Sequence, residues 1–567
     1  MHRSITGCIA LSAIWMITPN TLYSQTQPPP RPSTRAPERL DDPPGVPAQP
    51  LPYDGSPRIG PPARGAFAPV QVNVDANGMN VPGDAANEPS IAVDPTDPNR
   101  MAIGWRQFDT INSNFRQAGV AFTIDGGLSW TFPGVLDPGQ FRSDPVLGSD
   151  ADGNFYYCSL SSVTTAEVFK SIDGGITWMP PVTAHGGDKE WMVIDQTLGI
   201  GSGNIYEIWN VQFSCCPPND FTRSTDGGGF FQPPIAIPQP SMKWGTMSVG
   251  PDGALYLAGA TLNQTGHLIA RSTTAQDTAS PVTFDFVSPV NLGGVTVTGG
   301  PNPAGLLGQV SIATDHSGGP THGNVYILGS VDPPGLDPLN VMFTRSTDGG
   351  VSWSTPVRVN DDLTMIGDGA WNWFGTMSVA PNGRIDVVWN DTRNDPVPVP
   401  TMSELFYSYS IDAGMSWSRS IPLTQPYNHT LGYPQQNKMG DYYHMVSLDS
   451  AAKLAFAATF NGEQDVYFLS IAPDCNNNGI HDGTELLDGT GFDCNHNGTL
   501  DDCEFPGCPG IPLADTNCDG SNDGGDVQRF VDLMVTGGYT CSADMNQDGV
   551  LDAGDLPDFV GALLVAP

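Results

Sequence analysis

The chain has 567 residues and a formal net charge of −37, from 60 acidic against 23 basic side chains. Such a charge excludes a nucleic-acid partner, whose phosphates it would repel, and fits an exported protein that holds cations. With 66 glycines, 53 prolines, little lysine and no long amphipathic helical pattern before the C-terminus, the composition predicts a turn-rich β protein of more than one domain.

The chain opens with His2 and Arg3, an apolar run from Cys8 to Ile17 and then Leu22-Tyr-Ser-Gln25. This pattern predicts an export signal over residues 1–24 and a secreted, extracellular or cell-surface location. The apolar run is too short to span a bilayer, and no later stretch approaches one, so no membrane span is expected. Residues 25–66 are proline-rich and poor in apolar side chains, which predicts a disordered tether. Order is expected to begin at Phe67-Ala-Pro-Val-Gln-Val-Asn-Val74, an alternating strand.

Over 67–472 one unit recurs: a short inner strand, a turn and a second strand. Its seven copies begin at Glu88-Pro-Ser-Ile91, Asp144-Pro-Val-Leu147, Glu190-Trp-Met-Val193, Thr246-Met-Ser-Val249, Gln309-Val-Ser-Ile312, Thr376-Met-Ser-Val379 and Tyr443-His-Met-Val446. Most are followed by a second motif, best seen in Ser346-Thr-Asp-Gly-Gly-Val-Ser-Trp353, with copies ending at Trp130, Trp178 and Trp417 and a degenerate one at Ser224–Phe231. There the Asp side chain accepts N–H bonds across its own turn, glycine takes the positive φ angles, and Trp wedges one repeat against the next. A unit of this kind cannot bury both faces alone, so the copies must be stacked or radially arranged. The motif resembles the Asp-box (BNR) repeat of sialidase-like β-propellers. The expected fold is therefore mainly β, a seven-bladed propeller with six blades as the alternative, closed by the strand at Val70–Val74.

In such a propeller the loops leading into the inner strands and out of the second strands meet around the channel mouth, and the Asp boxes lie on the opposite rim. The candidate mouth residues are Glu88, Asp144, Glu190, Asp441 and Tyr442 for catalysis. For ligand binding they are Arg106, Trp191, Asn210, Trp244, Trp373, Asp391 and Arg393. Carboxylates, guanidinium forks and aromatic faces together suit sugar hydroxyls or a carboxylated ligand. The sialidase resemblance implies three arginines on a sialate carboxylate, a Tyr nucleophile paired with Glu, and an Asp acid/base. Arg106, Arg393 and Arg142 are the cations available, and Tyr442 or Tyr443 the phenol. The family's Arg-Ile-Pro motif is missing, and Asn87-Glu-Pro-Ser-Ile91 stands in its place.

After Pro473 the texture changes. Two loops over 473–509 place oxygen donors at positions 1, 3, 5, 9 and 12 with Gly at 6, the spacing a calcium ion needs. Their donors are Asp474, Asn476, Asn478, Asp482 and Glu485, then Asp493, Asn495, Asn497, Asp501 and Glu504. They resemble thrombospondin type 3-like calcium repeats. Over 510–567 two further loops follow the same spacing, with Asp515, Asn517, Asp519, Asp523 and Asp526, then Asp544, Asn546, Asp548, Asp552 and Asp555. Each runs into an apolar helix pattern, and the duplicated loop and helix resemble a dockerin domain, which implies a cohesin-like or envelope partner. Asn522 at a usually apolar loop position, and Cys518 with Cys541 as a pair able to form a disulfide, depart from that pattern. Cys215-Cys216 reads as two thiols or a vicinal disulfide, the reduced form being the plainer reading, and Cys158 as a core residue of a strand.

The sequence thus points to an exported, calcium-dependent protein whose propeller binds a glycan or a protein and whose tail docks it to an assembly. The alternative is a glycoside hydrolase using the mouth carboxylates.

Overall fold

The computed structural model describes residues 67–472 save 112, 363–369, 396–399 and 435, with 482, 485, 491, 500, 513–517, 521–536, 540, 542–546 and 551–565. The expected export signal, the proline-rich tether and most of the first two tail loops lie outside the described residues.

Seven antiparallel sheets form a seven-bladed β-propeller. Their innermost strands are Ala85–Val93, Ser143–Ser149, Trp191–Ile194, Met242–Val249, Ser311–Thr314, Asn372–Val379 and His444–Ser447, for blades 1 to 7 in turn. Each innermost strand contacts the next, the seventh returning to the first. Blade 7 lacks an outermost strand of its own. Val70–Gln71 supplies it by pairing with Asp465–Ile471, Val70 opposite Phe468 and Gln71 opposite Tyr467, as expected from the sequence. Closure leaves no open edge between the last blade and the first.

The Asp boxes follow the expected chemistry. In blade 1 the Asp125 carboxylate accepts from Ser129 N at 3.0 Å and Ser129 Oγ at 2.5 Å, and Asp173, Asp348 and Asp412 repeat the pattern. These bonds hold the Asp125 and Asp348 carboxyls down to about 2. The following tryptophans pack between blades, Trp130 of blade 1 at 5.4 Å from Phe468 of blade 7 and Trp417 of blade 6 at 5.1 Å from Phe343 of blade 5. Gly127 sits at φ +92°, and a Cβ there would overlap the Phe468 ring. Gly127→Ala is therefore expected to destabilise the propeller by about 2–4 kcal/mol, combining left-handed strain with overpacking. Urea unfolding followed by tryptophan fluorescence checks this, with Gly134→Ala as the reference because nothing lies within 4 Å of a Cβ there.

At the mouth end of every inner strand one residue turns left-handed. These are Glu88 (φ 52°), Asp144 (50°), Lys189 (57°), Trp244 (56°), Gly308 (127°), Phe374 (60°) and Gly440 (92°). In blades 1, 2, 4 and 6 a break in strand register accompanies it. Five of the seven carry a side chain, and such residues hold backbone strain of about 1–3 kcal/mol each. Bulges of this kind re-aim side chains next to functional sites.

In the tail, helix α1 (Asp526–Thr536) and helix α2 (Leu556–Val565) pack through Phe530 on Phe559, ring centroids 3.8 Å apart. Asp526 accepts from Asn517 N at 3.1 Å and Asp523 N at 2.9 Å, and Asp555 accepts from Asn546 N and Asp552 N at the same distances. The two units therefore share one loop closure and one helix start. Among the described residues no helix is long and apolar enough to cross a membrane. Cys215 and Cys216 are bonded to each other rather than reduced, and Cys158 is a buried free thiol.

Candidate functional site

Four of the candidate residues, Glu88, Asp144, Asp441 and Arg106, meet at the mouth, already engaged. Lys189 Nζ lies 2.7 Å from Asp144 Oδ2, 2.6 Å from Asp441 Oδ2 and 3.7 Å from Glu88 Oε1. Lys438 Nζ lies 2.8 Å from Asp441 Oδ2 and 3.5 Å from Glu88 Oε1, and Arg106 completes the set at 3.1 Å from Glu88 Oε1. Three carboxylates thus face three cations, all buried, and two of the chain's five lysines are spent here. Burial lifts the Glu88 carboxyl to about 7 against the pull of Arg106 and the two lysines.

A hairpin closes over the network. Its strands, Thr298–Gly299 and Asn302–Leu306, belong to the connection between blades 4 and 5, yet they bond to the lead-in of blade 7. Leu306 N donates to Asp441 Oδ1 at 2.7 Å, Asn302 Nδ2 donates to Gly440 O at 2.8 Å, and Asn302 Oδ1 accepts from Met439 N at 2.8 Å.

Glu190 is buried beside this network without joining it. None of the four carboxyl oxygens of Glu190 and Glu207 has a hydrogen-bond partner among the described residues. Burial pushes both carboxyls well above the usual range, and Asp144 and Glu207 raise Glu190 further. The Tyr442 hydroxyl donates to Pro145 O at 2.8 Å, and burial pushes it up as well. Glu88, Asp144 and Glu190 nearby push it in the same direction.

Beside the network lies a pocket of different chemistry. Its wall is aromatic, with Trp191, Phe374, Tyr442 and Tyr443, and Gln309 and Thr376 stand among the rings. Trp191 meets Tyr442 and His444 edge-on, at 5.6 and 5.4 Å. Gln309 is 6% exposed, and neither polar atom of its side-chain amide has a hydrogen-bond partner among the described residues. His444, held to Ser90 Oγ at 2.8 Å, is depressed to about 4 by burial and is neutral at physiological pH.

The remaining candidates are engaged in other contacts. Trp373 is buried in blade 6, its Nε1 donating to Ser403 Oγ, and its neighbour Phe374 takes the channel position instead. Trp244 lies under Lys243, whose Nζ is 3.8 Å from its ring centroid. Asn210 caps a short turn by accepting from Gln212 N. Asp391 and Arg393 pair with each other at 2.7 Å and, through Arg393, with Asp361, away from the central network. Arg142 is taken up by Asp137 and Glu167.

Sequence reasoning missed Lys438, Glu207 and Phe374. Phe374 was findable: Trp244-Gly-Thr-Met-Ser-Val249 and Phe374-Gly-Thr-Met-Ser-Val379 align residue for residue, which puts Phe374 and not Trp373 at the repeated mouth position.

No protein-family model and no curated protein matches the sequence. Similar solved structures are sialidases and other propeller glycoside hydrolases. The leech intramolecular trans-sialidase is 10% identical, covering 54% of this chain and 64% of its own, with a TM-score of 0.37. The endosialidase of phage phi92 is 9% identical, covering 72% and 69%, with a TM-score of 0.41. A protein of unknown function from Dyadobacter fermentans is 15% identical, covering 71% and 98%, with a TM-score of 0.39. At these scores the likenesses carry no argument about activity, and the fold stands on the chain's own strand pairing.

Proposed function

We propose that the propeller is a binding module for a glycan, held against the aromatic wall of its channel, and that a calcium-dependent tail docks this exported protein to an envelope or cohesin-like partner. One observation carries the reading. Three of the four candidate catalytic carboxylates, Glu88, Asp144 and Asp441, are buried against Lys189, Lys438 and Arg106, whereas the channel pocket is lined by aromatic rings and by Gln309, whose amide has no partner among the described residues. Aromatic faces and a few fixed polar groups are what a neutral sugar requires. A buried amide left unbonded costs about 1–3 kcal/mol, which a ligand's hydroxyls would relieve. In the tail, what supports calcium is the donor spacing of the loops, Asp515, Asn517, Asp523 and Asp526 and likewise Asp544, Asn546, Asp552 and Asp555, together with the matching turn in which the last Asp of each accepts from two backbone N–H groups of its own loop.

The test is a glycan array with the full chain, with calcium and with chelator, beside Gln309→Ala and a reducing-sugar assay. Wild type is expected to retain a glycan that Gln309→Ala binds at least tenfold more weakly. Chelator is expected to abolish capture of a tail partner and the α1 and α2 helical signal while leaving glycan retention intact. Release of reducing sugar that Glu190→Gln abolishes would overturn the reading in favour of a hydrolase, and so would glycan retention indifferent to Gln309.

A further inference from the structure

The joint that closes the ring is built differently from the mouth. Asp84 precedes the inner strand of blade 1, Glu463 leads into the last chain-order strand of blade 7, and Asp465 opens it. The three are 3%, 7% and 0% exposed. One oxygen from each lies within 4.8 Å of the other two. At the mouth three buried acids meet three bases. At the joint, no basic side chain among the described residues pairs with Asp84 or Asp465.

Amides surround the acids instead. Asn73 Nδ2 donates to Asp465 Oδ1 at 2.8 Å and to Asp84 Oδ2 at 3.4 Å, and Gln107 Nε2 donates to Asp84 Oδ2 at 2.8 Å. Asn80 Nδ2 and Gly83 N donate to the two Glu463 oxygens at 2.7 and 2.6 Å, and Asn461 Nδ2 donates to Asp465 Oδ2 at 3.0 Å. Five of the six carboxylate oxygens are thus held by donors. The sixth, Asp84 Oδ1, is buried and accepts nothing. Amide N–H groups orient a carboxylate and fill one of its lone pairs, but they leave its charge in place, and a buried charge needs a counter-charge. The cage holds the three acids close together, leaves Asp84 Oδ1 open and gives neither Asp84 nor Asp465 a basic partner among the described residues.

We propose that this joint binds one divalent cation, calcium by the all-oxygen character of its donors, through Asp84, Glu463 and Asp465. Hard oxygen donors favour calcium over the softer transition metals, and the remaining coordination is completed by water. The ion links residue 84 to residues 463 and 465, the two ends of the ring, so it clamps the closing strand pair without a covalent bond. The inference does not depend on the glycan reading or on the tail loops.

The experiment uses the full chain, stripped with chelator and titrated with calcium alone. Apart from Trp15, all tryptophans lie between Trp105 and Trp417 and none in the tail, so the calcium-dependent change in tryptophan fluorescence melting reports the propeller. Calcium at about a hundred times its dissociation constant is expected to raise that melting temperature by roughly 3–5 °C. The rise should persist in Asp526→Asn/Asp555→Asn, which weakens the tail loops, and vanish in Asp84→Asn/Asp465→Asn. Equilibrium dialysis with radioactive calcium should show the latter variant binding one equivalent fewer than wild type. A wild-type propeller transition indifferent to calcium overturns the proposal and means that the acids hold protons, a result that stands even if the joint variant does not fold. An unchanged calcium stoichiometry in a folded joint variant overturns it as well.

Discussion

Lys189→Met is expected to destabilise the propeller by about 3–5 kcal/mol, the penalty for removing one partner of a buried ion network. Its ammonium lies within 2.7 Å of both the Asp144 and the Asp441 carboxylates, on blades 2 and 7, and all three side chains are at most 1% exposed. Without it, Asp144 keeps its place beside Glu88 and Glu190 with its strongest counter-charge gone. Methionine preserves the volume of the stem, so the loss reports charge rather than a cavity. Arg393→Met is the control, since Arg393 also serves several acids but its side chain is 20% exposed. That variant should lose about 1 kcal/mol, as partly solvated pairs do. Denaturant midpoints at constant m-value give both numbers. A Lys189 variant no less stable than the Arg393 variant would show that the network is neutral to stability.

The second large effect is a loss of stability as pH rises. Glu190 and Glu207 have ordinary carboxyl values of 4.5 and stand well above that in the folded protein. The unfolded chain therefore releases both protons above about 4.5 while the folded chain keeps them. Stability from this pair is fully present below that value and declines as pH climbs toward the raised folded values. With both groups in that window the slope is about 2.7 kcal/mol per pH unit, two groups at 1.36 each. Asp220, held up to about 7 by burial, acts with the same sign. Glu190→Gln/Glu207→Gln should flatten the decline between pH 5 and 8, because an amide keeps the shape of the neutral acid and has no proton to lose. Parallel pH profiles for wild type and the double variant would refute the assignment.

Much of the propeller was legible in the sequence because its repeats encode local geometry. The Ser-x-Asp-Gly-Gly turns report their own hydrogen bonds, and the alternating inner strands set the number and spacing of blades. Even the closing strand at Val70–Gln71 followed from counting, since blade 7 was one strand short. The mouth was legible by position but not by state. Lead-in residues could be placed at the channel, yet nothing in the spacing shows that Glu88, Asp144 and Asp441 are cancelled by Lys189, Lys438 and Arg106. Those partners come from blades 1, 3 and 7, far apart in the chain. The hairpin at Asn302–Leu306 was equally invisible, because a connection between blades 4 and 5 gives no local sign that it will reach blade 7. The acidic joint escaped for the same reason, its members lying at opposite ends of the ring. Trp373 was assigned to the channel by residue type, and a one-residue shift in register handed that place to Phe374.

The left-handed bend at the head of each inner strand holds Glu, Asp, Lys, Trp and Phe at φ of 50–60°, and Gly twice at larger positive φ. Shape and chemistry are therefore specified separately at these seven points, since neither charge nor ring nor even a side chain is needed to make the bend. A lineage of such proteins could exchange what faces the axis one residue at a time while the architecture stays fixed. The ring behaves as a socket with seven interchangeable pins, and the set present in this chain has four charged or aromatic pins crowded into the first four blades.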